Sequence, residues 1–490
     1  MMQEEQDRLG RLQKLRESGV DPYPTKGNRT MQVQDFLDQF ETLQSTATSV
    51  SLVGRLRLLR PHGGLTFGQI QDESGLVQIA FKKDHLADAY DQLQDTIDLG
   101  DFLEVSGTAF TTKKGERSID VAAFRMLTKT LLPLPEKWHG ISDVETRFRK
   151  RYLDLIMNED VRKTMRTRSN IISAIRSLLD SRGFLEVETP TLQPVYGGGF
   201  ARPFVTHHNA LDADFYLRIS DEMYLKRLLV GGFEKVYEIT KVFRNEGIDR
   251  DHNPEFTMFE AQIAYENYEY GMDLFEEIFE HAVNQATGST TVQHEGECIE
   301  LKRPWKRMSL VEALKEVAGI DKADSKSVAS WKQTLLEELP AKKIHDLEMM
   351  KSSGALMAFA FEELVEEKLI QPTIIYDYPV EVSPLAKKTS DPRFVERFEA
   401  FALGSEIGNN YSELNDPVDL EKRFLEEKNK EQAGFDEAHQ TDVDYLEAIK
   451  HGMPPACGLG IGVDRMVMLL TGSANIKEVI LFPTLRPERE

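Results

Sequence analysis

The sequence predicts an α+β chain of several domains, with a small N-terminal β-barrel ahead of a larger domain that mixes strands and helices. Three observations lead there. Five short strand-like runs (51–59, 65–71, 76–82, 102–111 and 117–127) lie close together, separated by glycine-bearing turns, with one helical stretch near 86–93 between the third and fourth. Two further strand-like runs over 236–262 carry mixed apolar and charged residues around a loop. Near the C-terminus a glycine-rich strand leads into an apolar helix over 457–470. A chain of 490 residues is long enough for two or more domains, each with its own core.

Residues 1–45 read as an extension: a charged helix over 4–17, a stop at Gly19, and turns through Pro22 and Pro24. The barrel domain follows at 46–132. Five strands with a helix between the third and fourth match an OB-fold, a common platform for single-stranded nucleic acid. On the second strand Phe67, Gln69 and Gln71 alternate onto one face, with Gln78 on the next strand. A ring beside amides suits an unpaired base, although a phenylalanine buried in a small barrel would show the same spacing. Residues 133–151, from Pro133 and Pro135 to the basic run ending at Arg151, form a linker.

The domain at 152–490 opens with a helix on which Val161, Met165, Ile171, Ile172, Ile175, Leu178 and Leu179 recur at helical spacing, ended by Gly183. A second helix starts at Ser220, a suitable N-cap, with Asp221 and Glu222 in the acid-favouring first turn. Between 301 and 371 the pattern is helical and charged, notably at 331–339 and 356–368, with no chemistry of its own.

The segment Phe243-Arg244-Asn245-Glu246-Gly247 and the run from Asp251-His252-Asn253-Pro254 to Glu260 carry the densest chemistry. On strands, Val242, Arg244 and Glu246 would share one face, as would Phe256, Met258, Glu260 and Gln262. One such strand would be an ordinary solvated face. Two together, with His252 in the loop, suit a phosphate-bearing aromatic ligand. In Gly458-Leu459-Gly460-Ile461-Gly462 the spaced glycines lack the βαβ setting of a dinucleotide fingerprint. They read better as a strand that a ligand approaches closely, with Arg465 as a second fixed cation.

Residues 398–406 read as strand, tight turn at Gly404, strand, which places Glu399 and Glu406 on paired strands. Two such carboxylates can hold one hard cation together with phosphate, or be plain surface acids. Beyond them Asn409, Tyr411 and Glu413 form a polar row in a segment that otherwise looks internal. A buried carboxylate needs a cation, from an internal Arg or Lys or from a ligand's ammonium group.

The net charge of −22, taken as a whole, argues against a nucleic-acid partner, but local basic surface decides that binding. Arg55, Arg57 and Arg60 cluster, as do Lys113, Lys114 and Arg117, and Arg147, Arg149, Lys150 and Arg151. Two cysteines exclude a disulfide framework and a Cys-based zinc site. No apolar run reaches the roughly 20 residues needed to span a bilayer. The acidic N-terminus matches no secretory or transit signal, so cytoplasmic residence is expected.

The two segments around Arg244 and Arg465 resemble motifs 2 and 3 of the class II aminoacyl-tRNA synthetases, and Gly183-Phe184-Leu185-Glu186-Val187-Glu188-Thr189-Pro190 resembles motif 1. Further runs are similar to the lysine-specific branch: Ala201-Arg202-Pro203-Phe204, Thr206-His207-His208-Asn209-Ala210, Tyr224-Leu225-Lys226-Arg227-Leu228, Val382-Ser383-Pro384-Leu385-Ala386 and Ser412-Glu413-Leu414-Asn415-Asp416. The likeness extends over nearly the whole chain. It implies an OB-fold anticodon-binding domain and a catalytic domain built on an antiparallel sheet flanked by helices. Motif 1 would fall at about 160–190, motif 2 at about 236–262, a helical insertion at about 305–370 and motif 3 at about 457–470.

The implied activity is ATP-dependent activation of L-lysine, then transfer to the 3′ end of tRNA(Lys), by a homodimer formed through motif 1 and using Mg²⁺, up to about three ions with ATP bound. Arg244 and Arg465 would be the catalytic pair. The first would hold the α-phosphate and the substrate carboxylate; the second would hold the γ-phosphate and stack on adenine opposite Phe256. Glu246, His252, Asn253 and Glu399 would complete the ATP site, and Glu399 and Glu406 would bind the metal. Gly198, Glu222, Arg244, Glu260, Gln262, Asn409, Tyr411 and Glu413 would take lysine, and Phe67 and Gln78 the anticodon. Two departures stand out: Asp251 where relatives often carry Arg, and Gln262 where many carry Tyr. An aspartyl- or asparaginyl-type enzyme of the same architecture, and a non-catalytic RNA-binding relative, are the alternatives.

Overall fold

The structure is a computed structural model that describes residues 3–135, 143–199, 201–294, 296–320, 327–339, 347, 350–432 and 442–488. Residues 136–142 of the expected linker, and 321–326, 340–346 and 348–349 of the expected insertion, lie outside the described residues. Two compact units result, Met1–Ser142 and Asp143–Glu490.

In the first unit, strands Ser49–His62, Leu65–Gln71, Leu76–Lys82, Arg117–Thr128 and Phe102–Thr111 close a barrel in that spatial order. The expected runs are all present, and helix Asp88–Thr96 falls between the third and fourth strands in sequence. Leu52, Leu56, Ile70, Val77, Ile79, Leu103, Val105, Ile119 and Val121 fill the interior, each worth roughly 1.5–3 kcal/mol of transfer free energy. Where strands cross closely no side chain fits: a Cβ on Gly107 would lie 2.0 Å from the Asp120 carbonyl oxygen. Helix Gln3–Glu17 precedes the barrel and ends as expected before Gly19, whose φ is +77°.

The second unit is built on an eight-stranded sheet in the order Lys306–Ser309, Thr373–Pro379, Phe394–Ala402, Ser405–Ser412, Ala456–Gly462, Glu255–Ala264, Lys235–Phe243, Leu185–Glu186. The six central strands are antiparallel. The first and last strands pair in parallel with their neighbours, so the sheet is mixed at both edges rather than antiparallel throughout.

One face of this sheet packs on helices Glu159–Ser181, Tyr268–Thr287 and Val463–Thr471. Strand alternation sorts its residues: Phe259, Ala261, Ile263, Leu459 and Ile461 join Ile171, Ile175, Phe275, Phe279 and Met466 in one core. The opposite face is left for Met258, Glu260, Gln262 and the glycines at 458, 460 and 462.

Three expectations need correction. The strand expected to carry Arg244 and Glu246 ends at Phe243; Val242 is buried, and Arg244 extends the pairing only through its N–H to the Pro254 carbonyl, 2.9 Å away. The expected helical insertion begins with the strand Lys306–Ser309, because Arg307 and Met308 find a parallel partner in Thr373–Pro379. Its helices Val328–Glu338 and Ser353–Leu364 then close a separate core around Trp331, Leu335, Leu356 and Phe361. The helix expected from Ser220 starts at Glu222, and Ser220 Oγ accepts the Glu222 N–H at 3.1 Å.

Candidate active site

A cleft of about 360 Å³ opens on the glycine-lined face of the sheet, with an annex of about 70 Å³ leading deeper. Register explains what lines it. Glu260 pairs with Gly460, which pairs with Asn409; Gln262 pairs with Gly458, which pairs with Tyr411. The central strand carries no side chains between two rows of polar ones. A Cβ on Gly458 would strike Glu413 Oε1 at 2.2 Å, so the protein's own packing demands that glycine. At Gly460 the nearest atom would be 3.7 Å away, which leaves the floor open to a ligand.

Gly198, Glu222, Arg244, Glu246, His252, Asn253, Phe256, Glu406, Asn409, Tyr411 and Arg465 line the main cleft. Glu260 and Gln262 line the annex, together with Gly198, Glu222, Arg244, Asn409 and Tyr411. Of the expected residues in this unit, Glu399 and Glu413 lie outside the lining. Phe67 and Gln78 belong to the barrel unit. There Thr66 and Ile70 point inward while Phe67 is half-buried, so the ring is not core, and Gln78 Nε2 donates to Ser118 Oγ at 2.8 Å.

Arg244 is the most telling group. Its guanidinium carbon stands 5.2 Å from the centre of the Phe256 ring, and the side chain makes no hydrogen bond or ion pair among the described residues; Nε is buried without a partner. Burial pushes its pKa down, while Glu246, Glu260 and Glu406 nearby pull it back up. A guanidinium that faces the cleft with no hydrogen bond or ion pair of its own is set for an anion.

Arg465 leans over the other side of the cleft, with Nη1 donating to the Glu406 carbonyl at 2.9 Å and Nη2 lying 3.4 Å from His252 Nε2. A guanidinium can only donate, so His252 accepts through Nε2 and carries its proton on Nδ1, facing Asp249 at 2.9 Å. Asn253 donates to the Glu255 carbonyl at 2.6 Å and accepts the Thr484 N–H at 3.1 Å, so its amide also braces the loop. Asp251 stands at the cleft wall, and Arg250 turns to the Ala474 carbonyl.

The hairpin that bears Glu399 and Glu406 turns through Leu403 (φ +55°) and Gly404 (φ +70°), the paired positive φ values of a tight hairpin turn. A bulge between Ala400 and Phe401 sets Glu406 opposite Phe401 and Glu399 opposite Asn409. Arg397 holds Glu399, while Glu406 accepts from Asn409 Nδ2 at 3.2 Å and lies 3.7 Å from Arg465. Burial raises Glu399, against the pull of Arg397, and Glu406 adds to the rise. Glu366, from the insertion, joins them: burial, then Glu399 and Glu406, push its carboxyl up to about 7. The helical pattern of that segment gave no hint that it reaches this hairpin. Among the described residues no three acids, histidines or cysteines converge as a preformed metal site.

At the deep end, burial pushes the Glu260 carboxyl up to about 7, Glu222 adding to it, and Ser220 Oγ donates to it at 2.9 Å. Asp221, expected to sit in the helix's first turn, is instead fully buried with no hydrogen-bond partner for either oxygen. Burial, then Glu260 and Glu238, push its carboxyl well above the ordinary carboxylate range. Gly198, at φ +83°, would bring a Cβ within 2.7 Å of Ser220 Oγ, so it is needed for the chain path as well as for space. Glu413 meets an internal cation, one of the two partners its sequence left open. Its carboxylate is taken inside the chain by Lys226 Nζ at 2.6 Å and Gln262 Nε2 at 2.8 Å, and it sits behind Gln262 rather than at the cleft wall. The four-residue step from Glu222 to Lys226 was readable in the sequence as a helical ion pair; its third member was not.

The family described as tRNA synthetases class II (D, K and N) matches residues 143–486, and that described as OB-fold nucleic acid binding domain matches residues 50–127. Curated relatives cover nearly the whole chain. A lysine–tRNA ligase of Carboxydothermus hydrogenoformans is 48% identical over 98% of this chain and 97% of its own. One of Roseiflexus castenholzii is 49% identical (99% and 98%), and one of Bacillus subtilis is 46% identical (98% and 97%).

Proposed function

Because the chain belongs to the class II tRNA synthetases of the D, K and N group, we infer that it is an enzyme that ligates lysine to tRNA. ATP and L-lysine give lysyl-adenylate and pyrophosphate, and the lysyl group then passes to the 3′ end of tRNA(Lys). The observation that carries the choice of lysine is the polarity of the annex. Arg244 lies at its mouth, and Glu222 and Glu260 line it without a free cation among the described residues. That suits an amino acid with a carboxylate at one end and an ammonium at the other. An aspartyl-type pocket would need a cation or an amide where these acids stand.

Neither step needs a protein nucleophile, so the chain's work is positioning and charge stabilisation. Arg244 would bind the α-phosphate and the substrate carboxylate together, bringing attacking oxygen and phosphorus into line. Arg465 would take the terminal phosphate and, with Phe256, enclose the adenine, near Glu246, His252 and Asn253. Glu399 and Glu406 would hold Mg²⁺: the donors are hard oxygens, and the raised carboxyls of Glu399 and Glu366 mark a place where a cation relieves repulsion. When bound, the metal would neutralise the departing pyrophosphate.

The barrel face with Phe67 and Gln78 would read the anticodon, and the helix Glu159–Ser181 would contribute to a homodimer. No helix among the described residues is long and apolar enough to cross a membrane; charging tRNA supports a cytoplasmic enzyme. Amino-acid-dependent ATP/pyrophosphate exchange across the twenty amino acids tests the reading. Lysine should give the fastest exchange; faster exchange with aspartate or asparagine overturns it.

A further inference from the structure

The loop between Arg244 and Phe256 hangs on a segment near the C-terminus. Asp251 and His252 line the cleft, whereas Arg250 does not. Arg250 Nε donates to the Ala474 carbonyl at 2.5 Å, and the Arg250 carbonyl accepts the Ile476 N–H at 2.8 Å. To either side, Lys477 Nζ donates to the Asp249 carbonyl at 3.2 Å, and the Thr484 N–H donates to Asn253 Oδ1 at 3.1 Å. Asp249 Oδ1 accepts the Asp251 and His252 N–H groups, each at 2.8 Å, so the stretch pinned from outside is also folded on itself. The supporting segment is itself fixed. Ile476 and Val479 of its short helix Ile476–Val479 are buried, and Ile476 lines the cleft. Arg151, 1% exposed and bonded to Asp154 at 2.8 Å, donates to the carbonyls of Lys477 at 2.6 Å, Ile480 at 3.2 Å and Leu481 at 3.0 Å. One buried guanidinium thus satisfies carbonyls that the end of the helix leaves open.

We propose that residues 474–484 position the nucleotide loop, with Arg250 as the joint and a positioning residue for ATP. The cation that this chain carries one place before Asp251 fixes the loop instead of meeting a phosphate. This rests on the ATP reading of the cleft given above. A loop that already stands where the nucleotide meets it does not have to be ordered on binding, so the joint contributes affinity and leaves the chemical step alone. Its contribution reaches every nucleotide that meets His252 and Asn253, whatever the number of phosphates. Arg250 touches no reacting atom; it acts through the loop.

The test uses the full-length protein with Arg250→Ala. Arg250 is exposed, so the change opens no core. Losing a charge-assisted hydrogen bond should weaken ATP and AMP alike, by about ten-fold, in titration calorimetry. In pyrophosphate exchange the KM for ATP should rise to match, while kcat at saturating ATP and the KM for lysine stay within about two-fold. Deuterium uptake at residues 249–253 of the nucleotide-free protein should be about ten-fold faster, because the loop opens more often. Lys477→Met, which removes the tie to Asp249, should shift affinity and uptake in the same direction. A loss confined to ATP, with AMP binding unchanged, would make Arg250 a phosphate contact and overturn the proposal. Unchanged ATP affinity or unchanged uptake in Arg250→Ala overturns it as well. A wild type that binds no ATP overturns the ATP reading and this proposal together.

Discussion

Asp464 Oδ1 lies 2.6 Å from Arg168 Nη1, and its Oδ2 accepts the Thr257 N–H at 2.6 Å. Arg168 also donates to Thr257 Oγ1 at 3.0 Å and to the Val479 carbonyl at 3.2 Å. One buried carboxylate thus ties the long helix Glu159–Ser181, the strand Glu255–Ala264 and the helix that carries Arg465.

Replacing Asp464 by Asn should therefore act on both stability and ATP. Removing one member of a buried ion pair costs about 3–5 kcal/mol, so a lower melting temperature is expected. Because Arg465 is the next residue, the KM for ATP should rise more than that for lysine. Thermal unfolding and paired KM measurements check both parts; a variant with the wild-type ATP KM would show that the tie is structural only.

Glu399→Gln and Glu406→Gln should each raise the Mg²⁺ concentration needed for half-maximal exchange and lower the plateau by about ten-fold or more, since Mg²⁺ commonly rests on only one or two protein carboxylates plus phosphate. Chelation by EDTA should abolish exchange in the wild type and leave tRNA binding in a filter assay nearly intact. Full exchange at wild-type Mg²⁺ in both variants would remove these residues from the metal site.

Glu260 predicts opposite pH trends for folding and binding. Its folded pKa of about 7 stands above the roughly 4.3 of an unfolded glutamate. The stability it contributes is fully present below about 4.3 and is lost as pH rises through about 7. Lysine, in contrast, needs the ionised carboxylate, so its KM should fall from about pH 6 to about pH 8. Glu260→Gln should flatten that profile and leave the ATP profile, where Glu366 also titrates, as it was. A lysine KM that follows pH identically in wild type and variant would assign the titration elsewhere.

Phe67→Ala should weaken tRNA recognition by about 1–3 kcal/mol, the scale of one base stack, because the ring stands outside the barrel core. Exchange without tRNA should not change. A parallel fall in both would point to damage of the barrel.

Much of the fold and of the cleft could be read from sequence because both rest on short periods. Alternation along 255–264 put Met258, Glu260 and Gln262 opposite Phe259, Ala261 and Ile263, and that division is what the sheet shows. The five barrel strands were visible for the same reason. The misses involve partners far apart in sequence. Glu413 was recognisable as a buried acid in need of a cation, but nothing local says whether that cation is internal, and Lys226 answers from another element. Asp221 reads as a helix-start acid since that is where such residues commonly serve; only the packing of Glu260 and Glu238 around it, far off in sequence, raises its carboxyl. The bulge that moves Glu406 one place along the hairpin likewise leaves no trace in alternation.

The unpaired guanidinium of Arg244 also links the protein's lifetime to its substrates. A cation held in the cleft with no hydrogen bond or ion pair of its own among the described residues has its partner supplied from outside, and a phosphate-bearing ligand that meets it binds the native state but not the unfolded chain. By mass action, such a ligand at a hundred times its dissociation constant adds about 2.7 kcal/mol to the free energy of unfolding. Cellular nucleotide level would then act as a folding ligand, shielding the enzyme from proteolysis when ATP is plentiful and leaving it more exposed to turnover when ATP falls.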